Sequence, residues 1–148
     1  MPSMDLIVPT NFLLPDTISL GKLFSKGPYS IPDYQRDYRW KEENIQQLWD
    51  DISATSDRAF DGAGTIISDP RPHFLGPIVL EKFKSNEGKT PEIMDGQQRL
   101  VSLSALFSVL HEFATKLLDS EERDAWKNTI EATLFTYTFG KKVPKLSL

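Results

Sequence analysis

Two short segments of this sequence hold residue types that can do chemistry. The first is Asp95-Gly96-Gln97-Gln98-Arg99. A glycine at its second position permits a tight turn and lets a bound group come close to the backbone. The glutamines are neutral hydrogen-bonding groups, and Arg99 offers a planar fork of donors suited to phosphate. Asp95 has the chemistry to hold a divalent cation or a ribose hydroxyl. The second segment is Ile31-Pro32-Asp33-Tyr34-Gln35-Arg36-Asp37-Tyr38-Arg39-Trp40. Its aromatic faces can stack on a base, and its arginines can add cation–π or phosphate contacts.

Each segment also has a plainer reading. An Asp before a helix most often caps it, and Arg99 would then be a surface residue or half of an ion pair. Tyr and Trp beside a helix start are commonly core edges, and Asp37 can pair with a neighbouring arginine. On the residues alone the structural reading outweighs the chemical one at both segments. One strand–turn–helix with an arginine is a weak signal.

The elements that must position these segments follow from periodicity. Residues 18–24 make a helical turn ahead of Gly27-Pro28. Residues 29–36 alternate apolar and polar, and Pro32 restricts them to an extended or edge-strand role. From Lys41 the period changes: Ile45, Leu48, Trp49 and Ile52 form the apolar stripe of an amphipathic helix. Residues 54–73 hold Gly62, Gly64, Pro70 and Pro72, show no period, and read as a long surface loop.

Residues 76–83 and 91–94 are strand candidates joined as an antiparallel hairpin by residues 84–90. The second strand runs into residues 95–99 and then a helix, marked by Leu100, Leu103, Leu106, Phe107, Leu110, Phe113, Ala114 and Leu117. The amides that a helix leaves unpaired at its N-terminus, together with its dipole, make an anion site there. Residues 132–139 read as a strand, with 143–148 as its hairpin partner. The fold class is α+β, a mixed sheet with packed helices and not a doubly wound one.

Composition narrows the chemistry further. The chain of 148 residues fits one domain able to own a core. It has no cysteine, which excludes disulfide frameworks, thiol nucleophiles and cysteine-based zinc sites. His73 and His111 are the only histidines. His111-Glu112 has no second histidine at the helical spacing of a zinc protease. A net charge of −4 argues against a sequence-independent nucleic-acid binder. Glu121-Glu122-Arg123-Asp124 reads as the solvated start of a helix.

No apolar run reaches the roughly 18 residues of a membrane span, and no basic leader precedes an apolar stretch. A cytoplasmic location without membrane contact is the expectation. There is no Walker-type loop, no GxSxG elbow and no dinucleotide fingerprint. The final residues, Val143-Pro144-Lys145-Leu146-Ser147-Leu148, are strand-like, and predict that the protein continues past them.

Taken together, Ile31-Pro32-x-Tyr34-Gln35-Arg36-x-Tyr38-x-Trp40, then Phe74-Leu75-Gly76-x-Ile78-Val79-Leu80, then Ile93-x-Asp95-Gly96-Gln97-Gln98-Arg99-Leu100 occur in a telling order. This set closely resembles the N-terminal domain of GmrSD-type modification-dependent restriction enzymes, related to the ParB/sulfiredoxin-like nucleotide-binding fold. The resemblance spans residues 18–110 and continues loosely to Leu148, so residues 1–148 are expected to be a single domain of this kind.

The resemblance implies a regulatory domain that binds and hydrolyses a nucleoside triphosphate with Mg²⁺. It implies DNA as a partner through the full-length protein or an HNH nuclease domain. Asp95 and Arg99 are then the expected catalytic residues, with Asp95 as the metal ligand. Gly96, Gln97 and Gln98 are expected to bind the nucleotide on the phosphate side. Tyr34, Gln35 and Arg36 are expected to form the facing wall, which Tyr38 and Trp40 brace. The other reading is a non-catalytic sensor in which Tyr34, Arg36 and Arg39 bind modified DNA.

Two departures from the family pattern stand out. Leu100-Val101-Ser102-Leu103 replaces the usual Leu-Thr-Thr-Leu, keeping one hydroxyl. The chain also lacks the clustered histidines and asparagines of an HNH nuclease.

Overall fold

Ser19 opens the first helix, α1 (Leu20–Lys26), by accepting the Lys22 amide on its Oγ at 3.2 Å, an N-cap bond. The computed structural model describes residues 15–35, 37–63, 65–67, 72–81, 90–117, 120–138 and 141–147. α1 is followed by strand β1 (Tyr29–Ser30), a 3₁₀ turn (Asp33–Gln35) and helix α2 (Glu42–Ala59). Then come strands β2 (Val79–Glu81) and β3 (Glu92–Asp95) and helices α3 (Gln97–Leu117) and α4 (Ser120–Leu134). Strands β4 (Phe135–Thr138), β5 (Lys141–Pro144) and β6 (Leu146–Ser147) complete the described chain.

The main sheet has the order β2-β3-β1-β6. β1 runs parallel to both β3 and β6, whereas β2 and β3 are antiparallel, as the hairpin pattern predicts. β4 and β5 form a separate antiparallel pair. The protein is therefore α+β with a mixed sheet. Among the described residues no helix is long and apolar enough to cross a membrane.

The core lies between α1, the main sheet and the first half of α3. Leu23, Phe24, Tyr29, Ile31, Ile93 and Leu100 are buried together. Phe24 meets Phe107 edge to face, with ring centroids 6.0 Å apart. The Tyr29 hydroxyl donates to the Leu23 carbonyl at 2.7 Å, and burial pushes its phenol up from the ordinary value. Ile93 and Leu100 matter most for function. They are among the most deeply buried side chains, and they bracket residues 95–99, so the turn between strand and helix is anchored at both ends.

Four local expectations change. Pro32 does not leave its strand at an edge: β1 has neighbours on both sides. Only Tyr29 and Ser30 are paired strand residues, so the proline's missing N–H falls beyond them. α2 continues to Ala59, and the loop begins later than residue 54. No glycine or proline interrupts that helix before Gly62. Residues 132–134 are the last turn of α4, and the strand starts at Phe135. Finally, the hairpin partner is β5, after which Lys145 carries the chain across to the main sheet as β6. The hairpin connection at residues 82–89 lies outside the described residues.

The apolar stripe of α2 forms as a helix but does not reach the core. None of its residues is buried, and Ile45 and Trp49 stay exposed. Leu48 turns instead toward Trp40 and residues 73–75, where it helps to line a cleft.

Candidate functional site

Gly96 is the hinge of the site. Its φ of 86° is in the left-handed region, which suits a residue without Cβ. A Cβ built there would also run into the Ile78 side chain and lie 3.1 Å from the Pro77 carbonyl. Glycine is thus required twice, by conformation and by the close passage of the β2 approach. The Leu100 amide donates to the Gly96 carbonyl at 3.1 Å, which starts the α3 ladder. Asp95 does not cap the first turn in the usual way. Its Oδ1 accepts the adjacent Gly96 amide at 2.8 Å, and the residue is exposed. Among the described residues no side chain caps the amides of Gln97, Gln98 and Arg99, which a helix leaves unpaired.

The two glutamines bind the segment that faces them. Gln97 Nε2 donates to the Gln35 carbonyl at 2.7 Å. Gln98 makes three backbone bonds: its Oε1 accepts the amides of Arg39 at 2.8 Å and Trp40 at 3.3 Å, and its Nε2 donates to the Asp37 carbonyl at 3.0 Å. Tyr38 and Ser102 share a hydroxyl–hydroxyl bond of 2.7 Å, and Ser102 donates to the Gln98 carbonyl at 2.8 Å. The single hydroxyl kept at Ser102 is therefore a strut between helix and loop. From the other side, Gln35 Nε2 donates to the Met94 carbonyl at 3.3 Å, and the Tyr34 hydroxyl reaches the Met94 sulfur at 3.7 Å.

These bonds join the two segments around one cleft of about 390 Å³. Tyr34, Gln35, Asp37, Arg39 and Trp40 line one wall, and residues 94–99 line the other. Of the residues expected from sequence, Tyr34, Gln35, Asp95, Gly96, Gln97, Gln98 and Arg99 all meet here. Arg36 lies outside the described residues. Tyr38 bonds Ser102 of α3 through its hydroxyl. Trp40 lines the cleft as well as standing beside it.

Arg99 is fixed by its surroundings. Its Nη1 donates to the Pro77 carbonyl at 3.1 Å, and its guanidinium lies against Gly76, where φ is 96°. A Cβ on Gly76 would sit 3.0–3.1 Å from three guanidinium atoms. Arg39 and Asp37 come within 3.8 Å at the rim. Both are largely exposed, so their attraction contributes little to stability.

Sequence reasoning gave Asp37 and Met94 no part in the cleft. Their alternation with residues already singled out in the same two segments was the available signal. It also passed over a second cleft of about 250 Å³ on the other side of Trp40 and Arg99, lined by His73, Phe74 and α2 residues.

The first cleft is lined by both hydrogen-bond donors and carboxylates. Helix-terminal amides and Arg99 offer donors, while Asp95 and Asp37 offer oxygen ligands. Among the described residues no three histidines or carboxylates gather to hold a metal.

No curated protein matches the chain. The family described as "GmrSD restriction endonuclease, N-terminal domain" matches it over residues 20–145. That span contains both walls of the cleft and every strut between them. The chain belongs to the family of GmrSD restriction endonuclease N-terminal domains.

Proposed function

We propose that the cleft between residues 34–40 and 95–99 binds a nucleoside triphosphate and hydrolyses it, as a regulatory step in restriction defence. The role in restriction defence follows from the family. The observation that carries the nucleotide reading is the Arg99 guanidinium, fixed by Pro77 and Gly76 beside the start of α3, whose first amides no side chain among the described residues caps. Backbone donors, the positive end of a helix dipole and a held guanidinium are what a polyphosphate requires.

Roles within the cleft divide accordingly. Arg99 and the α3 amides would neutralise phosphate charge. Asp95 would orient a water or contribute to a Mg²⁺ site. Mg²⁺ is usually held by one or two carboxylates plus the substrate's own phosphates. Asp95, with Asp37 nearby, fits an ion that arrives with the nucleotide, and it would supply Lewis-acid stabilisation there. Gly96 makes the tight turn that brings Asp95 to the start of α3. Gln98 would act chiefly by holding the facing wall, since both ends of its amide are engaged with it, and Gln97 donates to the same wall through Nε2.

Fluorescent-nucleotide titration of wild type and Arg99→Ala tests the reading. Loss of a charge-assisted contact predicts binding at least roughly tenfold weaker in the variant. Equal binding by both proteins removes Arg99 from the site.

A second reading rests on the rim. Tyr34 is 71% exposed, and the Arg39 side chain is 80% exposed. An aromatic face beside a cation suits a DNA strand, so a non-catalytic sensor of modified DNA is the alternative. It predicts salt-sensitive binding that separates modified from plain DNA, with no nucleotide turnover.

A further inference from the structure

The two clefts adjoin along Trp40 and Arg99, which line both. Their chemistries differ. The first is built from helix-terminal amides, an arginine and carboxylates. The second has aromatic and aliphatic walls, Trp40, Leu48 and Phe74, with Gln47 and Asp51 at its polar edge. Gln47 Nε2 donates to Asp51 Oδ1 at 3.1 Å, which holds that edge in place. Phe74 is 78% exposed, so its ring face is open to a ligand.

Size points the same way. Whole small-molecule sites span roughly 300–1,000 Å³. At about 250 Å³ the second cleft suits one end of a ligand better than a complete one.

We propose that this second cleft is the nucleobase subsite of the ligand whose phosphates lie at the start of α3. This rests on the nucleotide reading above and extends it. The base stacks on Phe74 against Trp40, and Arg99 stands at the junction, within reach of the phosphate end. The polar edge offers carboxylate and amide oxygens, which accept from the amino and ring N–H groups of a base.

Three probes separate this inference from the reading it extends: each of the four ribonucleoside triphosphates, inorganic tripolyphosphate, and the matching nucleosides without phosphate. Each is titrated into wild type, Phe74→Ala and Phe74→Trp. Because Phe74 is exposed, neither substitution removes a core side chain. Stacking predicts that wild type binds at least one nucleoside triphosphate roughly tenfold or more tightly than tripolyphosphate. Phe74→Ala erases that advantage and leaves tripolyphosphate binding unchanged, and Phe74→Trp restores it. Nucleoside binding follows the same order. Tripolyphosphate bound as tightly as every nucleotide, or nucleotide binding indifferent to Phe74→Ala, overturns the base subsite while leaving the phosphate site standing. No binding of either overturns both.

Discussion

The guanidinium of Arg99 lies against Gly76, so close that a Cβ there would sit 3.0–3.1 Å from three of its atoms and press the arginine aside. Gly76 therefore does two things for a residue far from it in sequence: it takes up a left-handed conformation, and it leaves the space that fixes the arginine. Gly76→Ala would meet both constraints at once. The backbone strain alone costs about 1–2 kcal/mol. The displaced arginine adds a functional loss that strain does not explain. Thermal melts and nucleotide titrations on the same variant check this: binding should fall well beyond what the melt accounts for. A destabilised protein that still binds as wild type does would show that Arg99 needs no such support.

Gln98 offers a test of positioning as distinct from ligand contact. Its side chain ties the backbone of Asp37, Arg39 and Trp40 to the first turn of α3. Gln98→Ala frees two amides and a carbonyl. Water can replace part of that bonding, since Arg39 and Asp37 are exposed. A loss of about 1–2 kcal/mol of stability is expected from chemical denaturation. Gln98→Glu keeps the acceptor and loses the donor, so it should fall between wild type and alanine. Faster hydrogen exchange at the Arg39 and Trp40 amides would place the effect in the loop. Unchanged exchange would show that the glutamine is no strut.

The wall residues were legible in the sequence, but their division of labour was not. Residue type and order singled out both segments, because the chemistry of aspartate, arginine and tyrosine is written in their names. A glutamine, by contrast, bonds a ligand or a backbone equally well. Only the pairing of Gln97 with Gln35, and of Gln98 with residues 37–40, decides what each holds. The second cleft was hidden for a related reason. Phe74 and Leu48 come from segments that periodicity treats separately, and the stripe on α2 looked like a core face. The β5-to-β6 crossover escaped because a six-residue apolar run carries no mark of where one sheet ends and another begins.

Lys145 shows how that crossover is held. It is buried, its Nζ donates to the Ala132 carbonyl, and its amide donates to the Leu134 carbonyl at 2.8 Å. Its own carbonyl accepts the Tyr29 amide at 2.7 Å. The last turn of α4 has no basic residue of its own, so a lysine distant in sequence supplies the cation that a helix C-terminus favours. Lys145→Met keeps the aliphatic stem and strips the donor. The Ala132 carbonyl is left without it, and stability should drop by about 1–3 kcal/mol in denaturant unfolding. A methionine variant as stable as wild type would make the stem, not the ammonium, the useful part.

Glu131 supplies a prediction about acid. Its carboxylate lies 3.2 Å from the Lys142 ammonium, which ties α4 to β5, and 3.5 Å from His111 Nε2 on α3. The Lys142 hydrogen bond, above all, holds the Glu131 carboxyl below the usual carboxylate range. A carboxyl depressed in the folded state binds its proton more readily when unfolded. Its contribution is therefore complete above the unfolded value of about 4.3 and is lost as pH falls through the lower folded value. Glu131→Gln should lower the melting temperature slightly at neutral pH, by less in added salt, because solvent reaches the pair. The gap between the variant and wild type should then narrow as pH drops below that unfolded value. Lys142 itself is a poorer choice for the test, since its ammonium also lies 4.3 Å from the Phe135 ring centroid and its removal would take two interactions at once. A gap that stayed constant from neutral to acid pH would mean that the Glu131 charge contributes nothing, and that shape alone holds α4 to β5.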